Sequence, residues 1–380
     1  MRGFVAAVLC LALCATAPAP RGAALRRFDT PYYVVHTDLP PEGAAEAVVR
    51  MTRLGDELRR RTRELGFNGR IEQRLPFFLY ARHADFLAAT GEAKTSAGVF
   101  LGDRLVAAGT DARGSAAWHV VQHESFHQFA AATTGTELPA WLNEGLGEYF
   151  GEALFTGDGY TTGVVPAWRA ARVKQSLKDN RFEPLAGFAL LSQDEWNREM
   201  TMARYDQAWS MVQFLLHADD ARHRQRLVRY VKALCSGRSV KDAWSSAFGD
   251  RTDLEAEWKD YWLDLAEHGT PDVYAEATVA TFTSFLARAT AAGQGFESFA
   301  DFTRAAEKGE IQCGASDWLP PYLLRHAIES ARKDGVNYHF DQTTLTARLP
   351  TGEALRGSFT LRDGRVAAVT VEREPATPEP

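Results

Sequence analysis

His123-Glu124-Ser125-Phe126-His127 decides how this chain is read, together with Glu144 in the run Leu138-Pro139-Ala140-Trp141-Leu142-Asn143-Glu144-Gly145-Leu146-Gly147-Glu148-Tyr149-Phe150. Residues four apart share one face of a helix. His123 and His127 are therefore expected to point their imidazoles at a single ion. Glu124 sits one step round the helix, where it can reach a water on that ion without being a ligand. Two neutral nitrogen ligands, a carboxylate base and an open coordination position are what a hydrolytic zinc site needs. The H-E-x-x-H pattern is only moderately specific alone. It requires a helix and a third ligand.

Glu144 answers the second requirement. Thr133 to Pro139 is polar and carries Gly135 and Pro139, which predicts a loop between two helices. The second helix starts near Pro139 and runs back alongside the first, bringing Glu144 towards the two histidines. The expected ligand set is His123, His127, Glu144 and a water, with one Zn²⁺ per chain. Glu148 lies on the same face as Glu144, placed to accept the free ring N–H of a ligand histidine. His119 is one turn before His123. Eight residues of helix rise about 12 Å, so His119 and His127 cannot share an ion. His119 is expected on the wall of the cleft or at the surface.

The combination of His123-Glu124-x-x-His127 with Trp141-Leu142-Asn143-Glu144-Gly145 resembles the gluzincin metallopeptidases of the peptidase MA-like superfamily. It is similar in particular to a bacterial domain-of-unknown-function branch with a WLNEGLxEYF run, and more distantly to aminopeptidase N and thermolysin. Gly147 stands where that run usually has alanine. The resemblance extends from about Tyr32 to about Glu267. It implies an α+β fold: a zincin-like catalytic domain with a small mixed sheet, an edge strand, the active-site helix and a mostly helical remainder. The aminopeptidase Gly-Ala-Met-Glu-Asn motif is absent, so the resemblance implies an endopeptidase rather than an aminopeptidase. It also implies that a peptide substrate adds as a strand along the edge of the 97–108 hairpin; a plain hairpin packed on the sheet is the alternative. Tyr205, at the head of the helical run Tyr205 to Leu216, matches the tyrosine that stabilises the oxyanion in similar gluzincins. A tyrosine packed at a helix start is the alternative there, and His217 and His223 are fallback donors.

Composition narrows the function classes. The 380 residues carry a net charge of −6, so no basic footprint for nucleic acid is present. Arg2 followed by the apolar Gly3 to Ala17 and small residues through Ala24 reads as a signal peptide over residues 1–24. A periplasmic or extracellular location follows, with no membrane span after cleavage. Cys10 and Cys14 leave with that segment. Cys235 and Cys313 fit either a disulfide or two buried thiols.

Outward from the motif, Arg26 to Asp38 reads as one strand, Pro41 to Leu65 as a helix and Leu75 to Tyr80 as a second strand. Arg59-Arg60-Arg61 reads as a solvated helix face. Gly102-Asp103 marks the turn of the 97–108 hairpin, and Ser115 is expected to cap the active-site helix. Ala153 to Val165, rich in glycine and aromatic residues, is expected as a cleft rim or a plain surface loop. Ser192 to Glu195 reads as a cap and first helical turn. The expected organisation is a catalytic domain over 25–268, a helical segment over 272–335, a three-stranded β-meander over 336–373 and a tail over 374–380. Two other functions fit the same motif. One is a zinc-stabilised binder of peptide or glycan without turnover; the other is a zinc amidase or esterase acting on a non-peptide substrate.

Overall fold

Pro31 cannot donate to a strand ladder, and the chain turns there rather than running straight. The computed structural model describes residues 24–92, 96–109, 115–218, 222–249, 253–267, 269–314, 317–341 and 343–376. Within it, β1 (Arg26–Asp29) and β2 (Tyr33–Thr37) form an antiparallel hairpin. Thr30 closes the turn by accepting from the Tyr33 backbone N–H at 2.9 Å. The single strand expected over Arg26 to Asp38 is thus two, because Thr30-Pro31 makes a better turn than a strand.

The chain continues through α1 (Pro41–Leu65), β3 (Leu75–Tyr80), α2 (His83–Thr90), β4 (Gly98–Phe100) and β5 (Leu105–Ala108). These strands form one sheet in the order β1-β2-β3-β5-β4. The inner strands β2, β3 and β5 are parallel, and β1 and β4 run antiparallel at the two edges. The hairpin read from Gly102-Asp103 is present, and β4 is its outer strand. Arg59 and Arg60 are exposed, as a solvated face predicts, but Arg61 is half-buried and Glu57, which pairs with both Arg60 and Arg61, is buried.

Next come α3 (Ser115–Thr134) and α4 (Ala140–Gly151), joined by the turn around Gly135. A small hairpin of β6 (Leu154–Phe155) and β7 (Tyr160–Thr161) follows. The helical remainder is α5 (Ala167–Lys178), α6 (Leu185–Phe188), α7 (Gln193–Arg198), α8 (Met202–His217), α9 (Arg222–Cys235), α10 (Val240–Phe248) and α11 (Asp253–Asp264). Ser192 and Glu195 make the reciprocal cap of α7. Where α4 meets α8, Gly145 lies against the backbone: an added Cβ would sit 2.6 Å from the Ala208 carbonyl oxygen. The glycine after Glu144 is thus what lets the two helices approach.

The last elements are α12 (Pro271–Ala291), α13 (Phe299–Glu307), α14 (Pro321–Ala331), β8 (Asn337–Asp341), β9 (Thr344–Arg348), β10 (Ala354–Arg362) and β11 (Arg365–Glu374). The final sheet has four antiparallel strands in the order β11-β10-β9-β8, one more than the alternation predicts. The extra strand, β8, is five residues long and lies inside the 336–373 stretch read as the meander; no glycine or proline separates it in sequence from β9, so the two read as one strand. Helix α12 is buried between this sheet and the rest of the chain, and one apolar core runs from Tyr33 to Leu355.

Two buried arginine clusters tie the ends of the chain together. Arg50 of α1 is sandwiched between the rings of Trp118 and Phe155 at 4.6 and 4.5 Å. It bonds Glu46 at 2.8 Å and the Tyr322 hydroxyl of α14 at 2.6 Å. Asp158, in the β6–β7 turn, accepts from Arg53 of α1 at 2.9 Å and from Arg288 of α12 at 2.6 Å. The 153–165 segment is therefore not a surface loop: Phe155 and Tyr160 are each 7% exposed, and the glycines serve a packed turn. Cys235 and Cys313 are both free, half-buried thiols, so no disulfide links them. Among the described residues no helix is long and apolar enough to cross a membrane. The expected signal peptide lies almost wholly outside the described residues, as do the side chain of Ser115 and the last four residues of the tail.

Candidate metal centre

Helix α3 places His123 and His127 one turn apart, and α4 runs back along it so that Glu144 meets both. His127 Nε2 lies 2.9 Å from His123 Nε2. Glu144 Oε2 lies 3.2 Å from His123 Nε2 and 3.5 Å from His127 Nε2. Metal bonds of about 2.0–2.1 Å at tetrahedral angles set neighbouring ligand atoms about 3.3 Å apart. The three donor atoms therefore already form the face of such a tetrahedron. Without an ion the two ring nitrogens can share a proton in a hydrogen bond, and a cation would take that proton's place between them. The donor set fits zinc.

Glu148 stands where the helix spacing puts it, with Oε1 3.2 Å from His123 Nδ1. Its other oxygen is 2.6 Å from Arg169 Nη2 of α5. His123 thus has one nitrogen for the ion and the other held by a carboxylate. His127 Nδ1 is buried without a partner. Gln122, also on α3, donates its amide to the carbonyls of Phe150, Gly151 and Ala153 at 2.8, 3.0 and 3.0 Å. It locks the last turn of α4 to α3, which fixes the height of Glu144 against the histidines.

Electrostatics follow from this crowding. Burial lowers the His123 pKa, but Glu144 and Glu148 outweigh it and push the ring up to about 10. Burial raises Glu144, yet its hydrogen bonds with His123 and His127 hold it down at about 2. Glu148 is also drawn well below the usual range: burial opposes the shift, and His119, His123 and Arg169 win. With no cation bound, a proton therefore occupies His123 at neutral pH, and zinc has to displace it. Zinc affinity should rise about tenfold per pH unit as pH climbs towards the ring's pKa, one proton being released per ion. Competition titrations with a metal indicator at three pH values check this; a flat profile would contradict it.

Glu124, one step round α3 from His123, turns towards the edge strand. Its Oε2 accepts from the backbone N–H of Phe100 on β4 at 2.9 Å. Phe100 sits at a position whose N–H faces away from β5, so the edge strand fixes one carboxylate oxygen. Tyr205, in the first turn of α8, has its ring 6.5 Å from that of His123 and packs edge-on against Trp196. Burial, with Glu144 and Glu148 nearby, pushes its phenol well above the usual value, so it remains a neutral donor. Its hydroxyl contacts Met200 Sδ at 3.9 Å. The fallback donors lie elsewhere: His217 meets the Tyr149 hydroxyl at 3.1 Å, and His223 is fully buried against Phe214.

A second group of possible donors, His119, His123 and Glu148, shares His123 with the first. It is the poorer site for a cation, because the Arg169 guanidinium already lies on Glu148. His119 is a cleft-wall residue. It faces Glu148 and Glu152 and lines a cavity of about 810 Å³ with Trp118 and Arg169 on one side and Tyr274 and Tyr322 on the other. The α12–α14 part thus builds a wall beside the metal centre.

Arg169, Gln122 and Phe100 carry parts of this arrangement that sequence reasoning missed. A signal existed for Arg169: it shares the buried stripe of α5 with Ala170 and Val173, where a charge has to be paired. The backbone contact of Phe100 leaves no trace in residue type.

Residues 117–240 match a family model described as a protein of unknown function (DUF1570). The matched stretch holds His123, Glu124, His127, Glu144, Glu148, Arg169 and Tyr205, and the description assigns no activity. No curated protein matches the chain.

Proposed function

We propose that the protein is an exported zinc metallopeptidase of gluzincin type, built on a zincin-like catalytic fold. One observation carries the reading: His123 Nε2, His127 Nε2 and Glu144 Oε2 converge within 2.9–3.5 Å while the intervening Glu124 is held separately against an edge strand. A pure metal-binding scaffold has no use for that free carboxylate. Zinc at this place supplies a Lewis acid and a water acidified towards neutrality.

The residues then divide the work. Glu124 takes the proton of the attacking water and delivers it to the leaving amine. Its bond to Phe100 N–H keeps the carboxylate on the sheet side of α3. Glu148 fixes the His123 ring by holding Nδ1. Tyr205 supplies a neutral donor for the developing oxyanion once its hydroxyl leaves Met200. The outward edge of β4 spends the Phe100 N–H on Glu124 and the Gly98 carbonyl on Ser96 Oγ, so an extended chain added there would have to displace both bonds. The peptide substrate and internal cleavage rest on the resemblance. The apolar run after Arg2 supports export.

The test is metal content with activity. The purified protein should carry about one zinc per chain, and should cleave a denatured, fluorophore-quenched protein substrate. Chelation should abolish cleavage, and zinc should restore it. Zinc at full occupancy with no cleavage of any peptide, but turnover of simple esters or amides, would shift the assignment to a non-peptide hydrolase.

A further inference from the structure

Arg169 is 2% exposed and uses every nitrogen of its guanidinium on a different carboxylate. Nη2 meets Glu148 Oε2 at 2.6 Å, Nη1 meets Glu152 Oε1 at 2.8 Å and Nε meets Asp206 Oδ1 at 3.0 Å. The plane lies over the indole of Trp209 at 4.3 Å. Glu148 belongs to α4, which carries the candidate ligand Glu144, and Glu152 is the C-cap residue of that helix. Asp206 belongs to α8 and follows Tyr205 directly.

We propose that Arg169 is the positioning residue of the metal centre: it fixes the Glu148 carboxylate that orients His123 and locks it in register with the Tyr205 end of α8. The inference rests on the metal-centre reading given above. Three details carry it. The Glu148 oxygens are divided, Oε2 to Arg169 and Oε1 to His123 Nδ1, so the guanidinium sets the angle at which the carboxylate meets the ring. A planar fork with donors in fixed directions can hold three carboxylates at once, whereas a lysine ammonium is a point charge. Arg172, one turn further along α5, meets the same Asp206 oxygen at 2.7 Å, so α5 holds the anchor on α8 with two arginines.

A role limited to holding α4, α5 and α8 together would leave the coordination sphere unchanged in any variant that folds. Cobalt(II) reports that sphere through its visible bands, and chelator competition reports zinc affinity; neither needs turnover. Arg169→Lys keeps the charge and removes the fork. It should weaken zinc about 10-fold or more, within the range typical of groups that orient metal ligands, and change the cobalt band shape. Arg169→Met should weaken zinc further, towards about 100-fold. Guanidinium ion added to Arg169→Met should recover part of the affinity, because Arg169 lines the 810 Å³ cavity and the space it vacates opens there. Folded Arg169→Lys with wild-type zinc affinity and unchanged cobalt bands overturns the proposal. If Arg169→Lys does not fold, Arg169→Met with guanidinium decides on the same two readouts. Failure of the unaltered protein to bind zinc or cobalt at all overturns the metal-centre reading instead, and the unaltered control alone reveals that outcome.

Discussion

Glu124→Gln should leave the zinc content unchanged and remove hydrolysis, with a fall in kcat of at least about a thousandfold, within the range attributed to a positioned general base. The substitution keeps the shape of the side chain. It can also keep the contact with Phe100 N–H, because the amide oxygen accepts as the carboxylate does. What it loses is the capacity to take a proton. Glu124 lies outside the trio of donor atoms, so the ion should be held as before. Zinc analysis and a cleavage assay on the same sample measure the two effects together. Unaltered cleavage in the variant would sink the mechanism while leaving the metal site standing. Loss of zinc would show instead that Glu124 supports the site.

Glu144→Ala acts in the opposite sense. It removes the one anionic donor of the set, and zinc affinity should fall by more than the roughly 10–100-fold seen when orienting groups are lost. It also removes a carboxylate that holds His123 protonated when no ion is bound. The affinity that remains should therefore depend less steeply on pH than in the unaltered protein. Metal-indicator competition at two pH values reads both effects. A variant with undiminished zinc would mean that His123 and His127 find their third partner elsewhere.

The cluster of donor atoms was legible because its information is local. His123 and His127 are four residues apart on one helix, and Glu144 follows after a single turn, so helix geometry alone brings the three together. Glu148 was legible for the same reason, being four residues from Glu144. Arg169 and Asp206 were not. Arg169 meets Glu148 on one helix and Asp206 on another, and no spacing in the chain announces contacts that join residues 148, 169 and 206. The fold shows the same division. The 41–65 helix and the 97–108 hairpin follow from periodicity and a glycine turn. Of the two readings of the 153–165 segment, the cleft rim fits Ala153, Leu154 and Phe155, which line the cavity, and the plain surface loop does not hold. What buries it is Asp158, neutralised by Arg53 and Arg288 from more than a hundred residues away on either side. A pattern within the segment cannot reveal partners so remote.

The wall that α12 and α14 form has a consequence for the order in which the protein can be made. Synthesis runs from the N-terminus, and the helices carrying His123 and Glu144 emerge long before Arg288 and Tyr322. Until those arrive, Asp158 lacks one of its two arginines and Arg50 lacks its hydroxyl partner. The apolar face that α12 covers stays open, the kind of surface that makes nascent chains prone to aggregate. The helix pair that carries the donor atoms can therefore form early, while the cavity wall beside it is finished only when α12 and α14 have been delivered.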